Sequence, residues 1–83
     1  MSERVEPELL GALADRYGPA LLLYARQWCR CPEDAVQEAF VKLARQRRMP
    51  EQPGAWLFAA VRNAAISAAR AERRRKAREA AVA

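Results

Sequence analysis

Residues 53–75 read PGAWLFAAVRNAAISAARAERRR, and this stretch decides the fold class. Its apolar residues recur at intervals of three and four, as they do on one side of an α-helix. They form a stripe of mostly small side chains that can pack closely on a neighbouring helix, namely Leu57, Val61, Ala64, Ala65 and Ala68. No proline follows Pro53, so the last thirty residues can form one unbroken helix. We expect this helix from Ala55 to about Glu79.

The preceding segment, residues 32–46 with the sequence PEDAVQEAFVKLARQ, predicts another helix. Pro32 suits a first helical position, and Glu33 and Asp34 fall in the first turn, where the helix dipole favours acidic side chains. The expected core stripe consists of Val36, Phe40 and Leu43, with Ala39 beside them. The opposite side of this helix carries Asp34, Gln37, Glu38, Val41 and Lys42.

Two shorter helices are predicted nearer the N-terminus. Pro7 suits a first turn, and Gly18-Pro19 is expected to end this helix and to start the next, from Ala20 to Cys29. That second helix is apolar on almost every side, so we expect it at the centre of the bundle. The overall prediction is an all-α fold, a small bundle of about four helices with a long basic C-terminal helix. It forms a single domain over residues 1–83, with about 5–79 structured and 80–83 a linker or tail.

The charges of the chain are strongly polarised. Residues 1–40 carry four basic and seven acidic residues, a net charge of −3, whereas residues 41–83 carry eleven basic and three acidic residues, a net charge of +8. This asymmetry indicates a polyanionic partner for the C-terminal half. The polar N-terminus does not resemble a signal peptide, and no apolar run approaches the roughly 20 residues of a membrane span, so we expect a cytoplasmic protein.

Residue types that support catalysis or metal binding are scarce. The chain contains no His and no Gly-rich phosphate loop, so we expect neither an enzyme nor a cofactor. Cys29 and Cys31 form a lone C-x-C without a second pair, which predicts reduced thiols and no metal site.

Three segments in order, YGPALLLYARQW, PEDAVQEAFVKLARQ and PGAWLFAAVRNAAISAARAERRR, resemble the second conserved region of bacterial extracytoplasmic-function sigma factors. The likeness extends from about Leu9 to Lys76. Residues 34–40, DAVQEAF, are similar to that family's polymerase-binding helix. AWLF at 55–58, followed by VRN at 61–63, is similar to the helix that opens and reads the upstream, minus-ten promoter element.

The resemblance implies a sigma factor domain with two partners, core RNA polymerase and promoter DNA. In the family, the polymerase-binding face docks on the clamp helices, a coiled coil of the largest polymerase subunit. This contact is assigned to Asp34, Gln37, Glu38 and Val41. From the residues alone, an ordinary solvated helix face is the alternative. An anti-sigma factor is a further candidate partner.

The expected DNA-binding residues are Trp56, Arg62, Asn63, Ser67, Arg70, Arg73, Arg74, Arg75 and Lys76. Asn63 can pair with a base edge, the arginines can bind phosphates or stack on bases, and Trp56 can brace an unstacked base of the non-template strand. Other interpretations stay open: Trp56 could be a core residue, Asn63 a polar residue satisfied inside the bundle, and the run of basic residues 73–76 a solubilising surface.

The chain departs from the family pattern at three points. The loop at residues 48–54, which in the family forms much of the pocket for a flipped base, is short and lacks aromatic residues. Ser67 stands where family members often carry Asp. The second helical domain, which reads the more distant promoter element, does not follow before Ala83, so we expect either a fragment or a lone second-region domain.

Two other functions remain compatible with this sequence. One is a sigma-mimicking adaptor that binds polymerase or an anti-sigma factor without reading DNA. The other is a basic helical protein that associates with RNA or the ribosome.

Overall fold

The computed structural model describes residues 5–82, which form three α-helices. The helices are α1 (Pro7–Arg26), α2 (Pro32–Ala44) and α3 (Pro53–Val82), and each of them packs against the other two. The fold is all-α, as expected, but it has three helices instead of about four. With principal extents of 55 × 25 × 17 Å, the molecule is elongated because α3 is much longer than the bundle that it joins.

The prediction of a helix break at Gly18-Pro19 was wrong. Pro19 lies inside α1 on its exposed side, and Gly18 does not adopt the left-handed conformation that ends many helices. The buried residues Leu13 and Leu21 lie on either side of this pair and stay in phase on one face. We infer that continuous burial along this face offsets the backbone hydrogen bond that Pro19 cannot donate.

The core lies where one face of each helix meets the other two. Every buried side chain within residues 5–82 is apolar, and the largest fully buried ones are Leu21, Leu43, Leu57 and Val61. The C-terminal part of α1 is not the fully enclosed centre that its composition predicted. Leu23 is 62% exposed although Leu21, two residues earlier, is fully buried. The apolar surface of α1 is therefore larger than the core it faces.

Helix α2 turns its small residues towards the core. The expected stripe of Val36, Phe40 and Leu43 is displaced by one position, since the buried residues of α2 are Pro32, Ala35, Ala39 and Leu43. Val36 and Phe40 are only half-buried and pack at the edge of the core. The alanines allow α2 to lie close to its neighbours. Compared with the expectation, α2 is rotated about its own axis, and this rotation sets which of its residues face solvent.

The long helix α3 begins in the bundle and then leaves it. At its start, a Cβ on Gly54 would lie 2.9 Å from the ring of Tyr17, so a side chain at this position would force the half-buried Tyr17 ring to shift. Its buried residues are Leu57, Val61, Ala64 and Ala65, whereas Ala68 is exposed. From residue 70 onward no described side chain is buried, so this half of α3 projects from the bundle. The helix continues to Val82, which includes residues 80–82 that were expected to be a linker or tail, and Ala83 lies outside the described residues.

Candidate functional site

The first candidate surface is the solvent-facing side of α2, which we call the acidic face. It consists of Asp34, Gln37, Glu38 and Val41, which fall within about 100° of arc on an ideal helix. All four side chains are exposed, and Val41 is 43% exposed despite being apolar. Neither carboxylate forms an ion pair within residues 5–82. The acidic face therefore combines unpaired charge, an amide and an apolar centre.

The second candidate surface runs along α3 and is called the polar face. Asn63, Ser67, Arg70 and Arg74 are spaced by four, three and four residues, which places them within about 60° of arc. All four are exposed, and no hydrogen bond within residues 5–82 engages their side chains. Asn63 therefore does not satisfy its amide inside the bundle. Its donor and acceptor are available to a partner.

Trp56 lies on the same side of α3, two turns before Asn63, but it serves the core as well. Its side chain is half-buried and packs against the buried cluster of the bundle. The two interpretations of this tryptophan are therefore compatible, since part of the ring supports the fold and part remains accessible.

The other predicted DNA-binding residues do not share the polar face. Arg62 places its guanidinium 5.4 Å from the ring centroid of Trp28, at the end of α1. Arg75 donates to both carboxylate oxygens of Glu72 at 2.9 Å, and the Nζ of Lys76 lies 3.8 Å from the same carboxylate. Consecutive residues point about 100° apart on a helix, so the basic run at 73–76 must encircle α3.

The acidic face and the polar face are neighbours in the bundle. Asp34 and Glu38 from α2 and Ser67 from α3 line one shallow groove, with a volume of about 290 Å³. A polyanion crossing this groove would meet two carboxylates. Ser67 therefore lies at the border of the surface that can accept nucleic acid, and Asn63, Arg70 and Arg74 form its more favourable part.

Sequence reasoning missed an aromatic cluster that joins α1 to α3. The ring of Tyr24 lies edge-on to Trp28 at 6.2 Å and to Phe58 at 5.3 Å between centroids. Arg62 then covers Trp28, as described above. The signal was present, because Tyr24 and Trp28 are four residues apart within the helix predicted from Ala20 to Cys29, and Phe58 and Arg62 are four residues apart in α3; pairs at this spacing share a helix face. What the sequence does not reveal is that the two pairs meet.

Cys29 is half-buried and Cys31 exposed, and both are free thiols. Among the described residues, no group of three or more His, Cys, Asp or Glu side chains is arranged to hold a metal ion. Nor does any helix between residues 5 and 82 combine the length and apolarity needed to cross a bilayer.

Comparison with known proteins gives one clear match. The sequence model of the family described as sigma-70 region 2 matches residues 13–75, which include most of α1, all of α2 and α3 as far as Arg75. Neither the search of curated proteins nor the search of solved structures produced a match.

Proposed function

The chain belongs to the sigma-70 region 2 family, and from this premise we propose that it docks on core RNA polymerase through α2 and opens promoter DNA with α3. Membership supports a general role in transcription initiation, with polymerase and promoter DNA as partners. More specifically, we propose that the acidic face binds the coiled coil of the largest polymerase subunit. We propose that the polar face binds the non-template strand of the minus-ten element, in the manner of extracytoplasmic-function sigma factors.

The acidic face carries the docking part of the proposal. Protein interfaces derive most of their affinity from a few residues around a desolvated centre, surrounded by polar contacts. Val41 can supply the apolar centre, while Asp34 and Glu38 can pair with basic residues of a partner helix. The single observation that supports docking most directly is that these side chains are exposed together without ion pairs of their own.

Docking is tested by titrating fluorescent chain with core RNA polymerase. Glu38→Ala and Gln37→Ala should each weaken binding by about 30-fold if they are hot-spot residues worth about 2 kcal/mol. Glu8→Ala is the matched control for Glu38→Ala, because Glu8 is exposed on α1 and its loss changes the net charge equally. Circular dichroism should show unchanged helicity in all three variants. Wild-type affinity in both α2 variants would refute the docking assignment.

The polar face supports the DNA part of the proposal. Pulling a base out of the stack costs a few kcal/mol, and aromatic stacking returns about 1–3 kcal/mol per base, so melting needs contacts and no catalytic group. Asn63 can read a base edge, Arg70 and Arg74 can bind phosphates, and the accessible part of Trp56 can stack on an unpaired base. We therefore propose a non-enzymatic role that is exercised in the cytoplasm, where polymerase and promoter meet.

Sequence reading is tested with labelled single-stranded, A/T-rich oligonucleotides and fluorescence anisotropy. Asn63→Ala should lower affinity for the A/T-rich strand by about 5- to 150-fold, corresponding to 1–3 kcal/mol for a specific base contact. Its affinity for a scrambled strand of equal length should hardly change, since phosphate contacts remain. Binding that depends on ionic strength alone, in wild type and variant alike, would instead indicate an adaptor that occupies polymerase or an anti-sigma factor. Preference for the RNA strand of the same sequence would indicate an RNA-associated protein.

A further inference from the structure

A larger cleft lies beside the polar face, between the α1–α2 turn and the projecting half of α3. Its volume is about 440 Å³, and Ala68 lines both this cleft and the groove next to the acidic face. One wall consists of residues 26–31, which end α1 and lead into α2. The other wall is α3, from Ala68 to Lys76. None of the residues of the first wall belongs to the surfaces assigned above.

The charge of the cleft is strongly positive. Arg26 and Arg30 line it from the turn, and Arg73 and Lys76 line it from α3. Its one carboxylate, Glu72, already binds Arg75 and Lys76. Arg26, Arg30 and Arg73 therefore have no acidic partner among the residues that the structure describes. Three arginines that line one open cleft without acidic partners among these residues favour a ligand with several negative charges.

An aromatic ring is part of the same wall. Trp28 lines the cleft, is 37% exposed, and is held in position by the edge of Tyr24 and the guanidinium of Arg62. A ring fixed in this way loses little conformational freedom when a planar group stacks on it. Arginines around an accessible aromatic ring are the combination that binds single-stranded nucleic acid, since phosphates and unstacked bases are both satisfied.

We propose that this cleft is a second DNA-binding subsite, which holds the sugar-phosphate backbone and an unpaired base of the strand that leaves the polar face. The inference rests on the proposed function and extends it from α3 to the α1–α2 turn. Arg73 of the cleft lies next to Arg70 and Arg74 of the polar face along α3. One DNA strand can therefore contact both the cleft and the polar face. Single-stranded DNA is the favoured occupant over duplex DNA because a paired base cannot stack on Trp28. An acidic polypeptide would use the charges but not the ring.

The subsite is tested by the salt dependence of binding to the A/T-rich single strand. Arg30→Gln should reduce the slope of log affinity against log salt by about 0.7, the value for one phosphate on a single strand, which is about fivefold in affinity at 0.1 M salt. Arg26→Gln should act similarly. The matched control is Arg16→Gln, since Arg16 is also exposed but lies on α1 and does not line the cleft. Arg16→Gln should change the affinity for DNA by no more than about twofold, because salt screens the effect of a charge that lies outside the cleft.

The exposed thiol of Cys31 provides a direct readout, because it lines the cleft. In a Cys29→Ser background, saturating single-stranded DNA should slow alkylation of Cys31 by N-ethylmaleimide, and Arg30→Gln should reduce this protection. Duplex DNA of the same sequence should protect Cys31 from alkylation less than the single strand does.

Two results would overturn the subsite while leaving the proposed function intact. One is that Arg30→Gln and Arg16→Gln bind DNA equally well while Asn63→Ala still loses its sequence preference. The other is that Arg30→Gln weakens binding to core polymerase and not to DNA, which would indicate an acidic protein ligand. Absence of sequence-dependent binding in the wild-type chain would instead refute the proposed function, and the subsite with it.

Discussion

Two leucines of α1 provide a quantitative test of how this helix packs. Leu21 and Leu23 are chemically identical and lie two residues apart, but Leu21 is fully buried whereas Leu23 is 62% exposed. Truncating a buried leucine to alanine removes about three methylene-sized groups at about 0.8 kcal/mol each. The cavity left behind raises the total cost to about 2–5 kcal/mol. At Leu23 most of the surface is already in water, and alanine is a good helix former, so the cost should be below about 0.5 kcal/mol.

The assays are urea denaturation, with the midpoint and the slope fitted separately, and thermal denaturation for Tm, both followed by circular dichroism. A domain of this size loses about 4–8 °C in Tm for each kcal/mol, so Leu21→Ala should lower Tm by at least about 8 °C. Leu23→Ala should stay within a few degrees of wild type. Unequal slopes would mean that the unfolded or folded state had changed its exposed surface, and the midpoints could not then be compared directly.

The result that would refute the reasoning is equal destabilisation by the two substitutions. It would mean that the face of α1 that carries Leu23 is also buried by other parts of the protein. That arrangement corresponds to the central helix that the composition alone predicts. Equal tolerance of both would be just as damaging, since the three-helix core would then not depend on its largest fully buried side chains.

Three further predictions concern the backbone and the projecting helix. Pro19→Ala should stabilise the domain by about 1–3 kcal/mol in the same urea assay, because α1 runs through this position and alanine restores a helical hydrogen bond; a loss of stability would favour two separate helices. Gly54→Val should destabilise by about 1–3 kcal/mol, because its side chain would overlap the ring of Tyr17, and wild-type stability would exclude that close contact. Glu72→Gln should accelerate amide hydrogen exchange in residues 70–82 by no more than about two- to threefold, because the ion pairs of Glu72 with Arg75 and Lys76 are exposed and therefore weak. This acceleration should vanish at 1 M salt, which screens the ion pairs. If the acceleration persists at 1 M salt, the ion pairs are not its cause.

The surfaces were easier to predict from the sequence than the packing was. Asp34, Gln37 and Glu38 were expected on the side of a helix opposite its core stripe, and Asn63 and Arg70 among the residues that contact DNA; all five are exposed. Such placement follows from the helical period alone once a helix has been identified. Their assigned contacts with polymerase and DNA remain predictions.

Errors arose where local signals had to be weighed against tertiary contacts. Gly18-Pro19 is a strong local stop signal, but it cannot report that Leu13 and Leu21 are buried in the same core cluster. The choice between Val36 and Ala35 as the core residue of α2 likewise depends on how closely the partner helices approach. Hydrophobicity favours valine, whereas close packing selects alanine.

The sequence by itself determined the all-α class, the two later helices, the family and the solvent exposure of Asp34, Gln37, Glu38, Asn63 and Arg70. All of these depend on short-range periodicity and motif, which a linear chain carries in full. Only the tertiary structure decided that α1 is continuous, that the acidic and polar faces border one groove, and that Arg26, Arg30 and Arg73 line one cleft with Trp28. These features depend on the rotation and separation of packed helices, which are set by the joint burial of residues far apart in the chain.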